Sequence, residues 1–87
     1  MTILNTGTVT LTAADTAYQI PASATAGRKQ LIISNISGHD IHIGGSNLNT
    51  TNGIVIQAFE QIKLNSSGGV YALCETAARV ISYTEMG

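Results

Sequence analysis

A short run in which threonines alternate with apolar residues constrains the fold of this chain more than any other feature. The segment TVTLTA places Val9, Leu11 and Ala13 on one side of an extended backbone and three threonines on the other. β-branched residues such as threonine and valine also favour strands. Helical periodicity is nearly absent, because residues 22–26 and 75–78 are too short to form more than one turn. The sequence therefore predicts an all-β fold.

Eight segments of this kind are separated by turn residues. They are residues 8–13, 17–20, 30–35, 40–43, 54–57, 61–64, 70–74 and 78–84. Short strands at this spacing are typical of a sandwich or a barrel. Strict alternation in most of them favours two packed sheets, each with one face outward, over a closed barrel. We expect about eight short antiparallel strands in a β-sandwich with no substantial helix.

Two of the predicted strands allow predictions about single side chains. The continuous apolar run at residues 31–33 indicates a central strand that is buried on both faces. Arg28 and Lys29 precede this run, and we expect both to be solvated. In the strand at residues 40–43, the period of two points Ile41 and Ile43 inward and their polar neighbours outward.

Residues 44–64 combine a long loop, an apolar run, a turn and an alternating strand. Their sequence is GGSNLNTTNGIVIQAFEQIKL. The glycines and asparagines tolerate left-handed backbone angles, which indicates a loop of about ten residues. Phe59 lies in the turn between two strands, where it is poorly placed for its own core. The ring therefore either contacts a neighbouring molecule or folds back over the sheet.

The composition favours association with other proteins. Only 10% of the residues are charged, against about 25% in an average soluble domain. Threonine, serine, asparagine and glutamine cost less to desolvate at an interface than lysine or glutamate. We therefore expect an oligomer or a protein that docks onto a larger body, with a soluble monomer as the alternative.

Several classes of partner and site are not expected. Four cations, with a net charge of −1, form no basic stripe for nucleic acid. No apolar run approaches the roughly 20 residues of a membrane span, and the N-terminus lacks a basic region followed by an apolar core. We expect the protein to fold in a cytosol. Cys74 is the single cysteine, which allows no internal disulfide and suits a small buried side chain.

Catalytic, cofactor and metal sites are also not expected. His39 and His42 would point to opposite faces of an extended strand, so a shared metal ion is not predicted. The glycine pairs at 44–45 and 68–69 are not followed by a helix and so do not form a phosphate loop. The carboxylates lie in separate segments: Asp15, Asp40, Glu60, Glu75 and Glu85. The sequence thus predicts a protein without enzymatic activity.

The order of these segments resembles a class of small virion proteins of tailed phages. The resemblance is carried by GTVTLTAADTAYQIP, an apolar strand, IHIGGSN, TNGIVI, a turn with Glu60, QIKL and VYALCETAARVISYTE, and it covers nearly the whole chain. In that class a Pro-Gly-Glu turn is usual, whereas here the turn reads Ala58-Phe59-Glu60. The resemblance implies a short jelly-roll-like sandwich that decorates or cements the capsid, or a small tail or fibre subunit, assembled in the bacterial cytoplasm.

The resemblance also implies repeated contacts with a major capsid protein or other virion proteins. Proteins of the cement kind are often trimers, and a small core gains from burial between subunits, so we expect a homotrimer. We divide the chain into an N-terminal arm at residues 1–7 and a single domain at residues 8–87, because Ile3 and Leu4 have no evident strand partner. The interface residues that we predict are Ile3, Leu4, Asn47, Asn49 and Phe59.

Two other functions are considered. A host-receptor or carbohydrate-binding module of a phage tail or fibre is favoured by the loop rich in asparagine and threonine and by the three tyrosines. A small hydrolase has only the scattered carboxylates in its support, with Glu60 as the obvious candidate.

Overall fold

The computed structural model describes residues 2–87 and contains eight β-strands. They are β1 (Ile3–Leu11), β2 (Tyr18–Gln19), β3 (Gln30–Ser34), β4 (Ile41–Gly44), β5 (Ile54–Ile56), β6 (Gln61–Leu64), β7 (Tyr71–Leu73) and β8 (Arg79–Met86). No helix occurs in this part of the chain, and so none that could cross a membrane.

The strands form two antiparallel four-stranded sheets, as the sequence predicts. Sheet 1 has the order β1-β8-β3-β6 and sheet 2 has the order β2-β7-β4-β5. The pairing is nested, with the first strand paired to the last and so on inward: β1 with β8, β2 with β7, β3 with β6 and β4 with β5. This nested pairing is a long hairpin rolled into a sandwich, which is the jelly-roll arrangement of two Greek keys.

The core lies between the inner faces of the two sheets. Its members are apolar and almost inaccessible to solvent: Leu11, Ile20, Leu31, Ile33, Ile41, Ile43, Ile56, Val70, Ala72, Cys74 and Ile81. The inward direction predicted for Ile41 and Ile43 is confirmed. The central position of β3 is also confirmed, but its burial on both faces is not, because Ile32 on the outer face is partly exposed. An antiparallel sheet can leave one face in water.

The first strand begins earlier than the sequence indicates. Ile3 pairs with Met86, and the backbones of Thr2 and Gly87 exchange two hydrogen bonds of 2.7 and 2.8 Å. Leu4 occupies an irregularity in the register. The expectation that Ile3 has no strand partner is wrong, because β8 continues to Met86 and supplies one. Of the predicted arm at residues 1–7, Met1 lies outside the described residues.

Arg28 is buried, contrary to the expectation that it is solvated, whereas Lys29 is exposed as expected. Arg28 Nη1 donates to Glu85 Oε2 at 3.1 Å, and both side chains are inaccessible to solvent. The guanidinium also donates to the carbonyls of Ser66, at 3.0 Å, and Gly68. A buried charge is tolerable when it is paired and fully hydrogen-bonded, and Glu85 provides the counter-charge.

The Glu85 carboxylate has further donors. It accepts hydrogen bonds from the Thr25 amide at 3.0 Å, from Thr25 Oγ1 at 2.6 Å and from Asn5 Nδ2 at 3.3 Å. Burial by itself would raise the pKa of Glu85, but the hydrogen bonds from Thr25, Asn5 and Arg28 outweigh it and hold this pKa below its ordinary value. The pair thus ties the start of β1 and the loops around residues 25 and 66–68 to the end of β8.

Candidate functional site

Phe59 occupies a strained position in the turn that joins β5 to β6. The turn is closed by a hydrogen bond from the Glu60 amide to the Gln57 carbonyl at 3.1 Å, and Phe59, its third residue, has φ of 65°. Turns with a positive φ at this position normally use glycine there. Phe59 therefore stands at a turn position that favours glycine.

The turn is nevertheless held firmly by its neighbours. The Phe59 amide donates to the Asn35 carbonyl at 2.7 Å, and the Asn35 amide donates to the Glu60 carbonyl at 2.8 Å. Asn35 is buried, and its side-chain amide donates to the carbonyls of Ile56 and Gln57. Glu60 Oε1 accepts from the Gln57 amide at 3.1 Å, so this carboxylate serves the turn itself.

The Phe59 ring points into solvent and does not fold back over the sheet. It is 79% exposed, the highest value among the exposed large hydrophobic residues of the described chain. Ile36, next to the buried Asn35, is also exposed. A projecting aromatic ring on a fixed backbone can anchor a contact with another molecule at little conformational cost.

The outer face of sheet 1 forms a second exposed surface that is poor in charge. The strand register aligns its residues in rows across the sheet. These residues are Ile3, Thr6, Thr8, Thr10, Gln30, Ile32, Ser34, Gln61, Lys63, Val80, Ser82, Thr84 and Met86. Lys63 is its one charged member. The predicted interface residue Ile3 extends this surface and is 61% exposed, while Leu4 is less exposed and lies beside Gly87.

The loop with Asn47 and Asn49 is exposed but folds back on sheet 2. Asn49 Oδ1 accepts from the amide and hydroxyl of Thr51 at 2.8 and 2.7 Å, and Asn52 Oδ1 accepts from the Asn49 amide. Leu48, between the two predicted residues, is buried. The polar groups of this loop thus largely satisfy one another.

Gly53 makes the packing of this loop possible. It has φ of 87°, and a Cβ atom there would lie 2.6 Å from both the Ile43 carbonyl oxygen and Leu48 Cδ1. Only glycine fits such a position without displacement of the backbone.

A polar cavity of about 420 Å³ lies beside the Phe59 turn. It is lined by Gly38, His39, Asp40, His42, Val55, Cys74, Glu75 and Thr76. His42 Nε2 is 3.8 Å from Glu75 Oε1, and His42 Nδ1 is buried without a hydrogen-bond partner among residues 2–87. Cys74 is buried, as predicted, and its Sγ accepts from the Thr76 amide at 3.4 Å.

One expectation about this region is wrong. His39 and His42 line the same cavity, because β4 begins at Ile41 and His39 precedes it, so strand alternation does not apply between them. Asp40 and Glu75 also line this cavity, because β7 pairs with β4 in sheet 2, and both side chains are exposed as expected. Residues 2–87 nevertheless contain no group of three or more ligating side chains that could hold a metal ion.

An apolar cavity of about 300 Å³ opens at the other end of β5 and β6. Its lining is mostly aliphatic side chains and glycines: Ile43, Gly44, Gly45, Ile54, Leu64, Asn65, Ser66, Gly69 and Val70. Arg28 fixes the loop on one side of this cavity through the carbonyls of Ser66 and Gly68. The buried ion pair therefore supports the shape of an apolar surface hollow.

The sequence alone leaves the direction of the Phe59 ring open and indicates neither cavity. The cavities arise where strands distant in sequence meet, and only the register of β4, β5 and β7 reveals them. No local signal identifies Arg28 as buried, because Lys29 precedes the same strand and is exposed. None of the protein-family models, curated proteins or solved structures compared with the chain matches it.

Proposed function

We propose that this protein is a non-enzymatic structural component of a phage virion, which attaches to capsid or other virion proteins through the outer face of sheet 1. The observation that carries the proposal is that this four-stranded face has a single charged side chain, Lys63. Hydroxyl and amide side chains are cheap to desolvate, and Ile3, Ile32 and Val80 supply apolar contacts.

The size of this face favours a weak contact that is repeated many times. Each outward residue of this face occupies about 4.8 Å across the strands and about 6.7 Å along its strand, so the whole face covers roughly 400 Å². A stable interface between two proteins buries about 800 Å² on each partner. One copy would therefore bind weakly, whereas an oligomer that engages several neighbouring capsid subunits gains from effective concentration. The small area of the face therefore favours a homo-oligomer, with a trimer as the expected form.

The assignment to a virion rests on the resemblance described above and on the type of fold. Jelly-roll sandwiches are used in viral capsids, although a fold by itself does not determine a function. The same proposal places the protein in the particle after assembly in the bacterial cytoplasm. It includes no cofactor, nucleic acid or membrane.

The test is attachment to phage particles that lack the protein. Ile32→Glu places a carboxylate in the middle of the outer face, opposite Lys63, which favours retention of the fold. We expect this variant to lose cosedimentation with the particles. Ala77→Glu, in the loop between β7 and β8, adds the same charge at an exposed position outside the face. It is the matched control and should bind as the wild type does. Equal binding of both variants, or absence of the chain from purified virions, would reject the proposal.

A receptor- or carbohydrate-binding module is the second candidate, because the polar cavity offers several hydrogen-bonding groups. His39, Asp40, His42 and Thr76 line it, and jelly rolls also occur in lectins. A glycan array that gives binding with the wild type and none with Asp40→Asn would support this function. No binding on the array, together with normal adsorption of particles that lack the protein, would reject it.

A further inference from the structure

We propose that Phe59 of one copy inserts into the apolar cavity of a second copy, and that this contact joins the subunits of the oligomer. The inference rests on the proposed function only for the expectation that copies associate. Both parts of the contact are present in every chain, so no other protein is required.

The ring is suited to insertion because its backbone is fixed and its side chain is free. The hydrogen bonds between the turn and Asn35 hold the Phe59 backbone at a positive φ, and the ring is 79% exposed. A bulky residue in this conformation is strained. Burial of the ring in another copy would supply a favourable interaction that the isolated chain lacks.

The cavity has the size and chemistry for an aromatic ring. Its volume is about 300 Å³ and it opens to the surface, so a ring can enter it from outside the chain. Ile43, Ile54, Leu64 and Val70 contribute apolar surface, and no charged side chain lines the cavity. The polar cavity, with His39, Asp40 and Glu75, is a poorer environment for the ring.

The positions of the ring and the cavity require two copies. Phe59 lies in the turn that joins the end of β5 to the start of β6, whereas Ile54 and Leu64, at the other ends of these strands, line the cavity. β5 and β6 have three and four residues, so their length separates the ring from the cavity by about 10 Å. The ring of one copy can thus meet the cavity of another either reciprocally across a two-fold axis or in succession around a ring.

The experiment measures self-association of the full chain by sedimentation velocity over a range of concentrations. Phe59→Asn removes the ring and keeps a residue that tolerates a positive φ. Ile54→Glu places a carboxylate at the rim of the cavity, at a position that is 52% exposed and so compatible with folding. We expect each variant to raise the dissociation constant about a hundredfold. Val80→Glu, on the outer face of sheet 1, is the control and should associate as the wild type does.

Mixing the two variants is the decisive step. Phe59→Asn keeps an intact cavity and Ile54→Glu keeps an intact ring. At concentrations at which each variant alone is monomeric, the mixture should form a one-to-one heterodimer held by one contact between ring and cavity. A wild-type dimer or closed ring that dissociates on either substitution supports the inference. A wild-type monomer at all concentrations, an oligomer unaffected by Phe59→Asn, or a mixture without heterodimer would overturn it. Wild-type protein that self-associates but does not attach to the particles would instead count against the proposed function alone.

Discussion

Replacement of Arg28 by methionine should be one of the most destabilising single substitutions in this protein. The substitution keeps an apolar stem of similar length but removes three hydrogen bonds, one of them to the buried Glu85 carboxylate. Hydrogen bonds of charged groups are worth about 1.5 to 3 kcal/mol each, so the lower end already amounts to about 4.5 kcal/mol. This value agrees with the loss of about 3–5 kcal/mol that follows when one partner of a buried ion pair is removed.

A loss of about 4.5 kcal/mol is a large part of the total free energy of unfolding. At about 0.05–0.15 kcal/mol per residue, a chain of 87 residues has a free energy of unfolding of about 4–13 kcal/mol. The measurement is urea denaturation at neutral pH, with the free energy and the slope fitted together. Lys29→Met is the matched control, because this neighbouring cation is exposed, and it should change the free energy by no more than about 0.5 kcal/mol.

A second substitution separates the ion pair from general packing. In the double variant Arg28→Met, Glu85→Met both charges are absent, and replacement of a buried pair by apolar residues is often nearly neutral. We expect the double variant to be more stable than Arg28→Met alone, with a coupling energy of at least about 2 kcal/mol. If Arg28→Met lowers the free energy of unfolding by less than about 1 kcal/mol and leaves its dependence on urea concentration unchanged, the reasoning is refuted.

Four other substitutions test separate features. Phe59→Gly should raise the free energy of unfolding by up to about 1 kcal/mol in urea denaturation, because it relieves a positive φ. Ala78→Gly, at a residue with φ of 58°, should have the same effect. A lower free energy of unfolding for Phe59→Gly would contradict this reasoning. The lowered pKa of Glu85 stabilises the fold above the ordinary glutamate pKa of about 4.3, and this stability is lost as the pH falls through the lower pKa of the folded state. Glu85→Gln should therefore flatten the acid limb of a plot of stability against pH, and an unchanged limb would contradict this. Gly53→Ala should lower the melting temperature, since its Cβ would lie 2.6 Å from the Ile43 carbonyl oxygen; an unchanged melting temperature would show that the loop can move.

Local patterns were sufficient to predict the strands. Side chains alternate between a dry and a wet face along each strand, so residues 61–64 were predicted with the bounds that β6 has. Strand ends were less predictable, because a strand continues as long as a neighbour offers backbone partners. β1 extends to Ile3 only because β8 reaches Met86.

Contacts between distant segments could not be predicted in this way. Arg28 and Glu85 are 57 residues apart in sequence, and nothing in their local patterns links them. The two histidines illustrate a related limit: whether His39 and His42 share a face depends on whether the strand begins at residue 39 or at Ile41. The Phe59 ring is a further example: a side chain in a turn between strands can project or fold back over the sheet, and only the structure shows that it projects.

The opposite effects expected at Phe59 connect stability with association. Among the described residues other than glycine, three have a positive φ: Asp15, Phe59 and Ala78. Aspartate tolerates this conformation and alanine is small, so the cost is greatest for the phenylalanine. In the isolated chain, glycine would be the better residue for this turn. Burial of the ring by another molecule gains about 1.5–3 kcal/mol, which is enough to offset a strain of about 1–2 kcal/mol. The same side chain therefore weakens the monomer and strengthens the complex, and Phe59→Gly should separate the two effects by stabilising one while it dissociates the other.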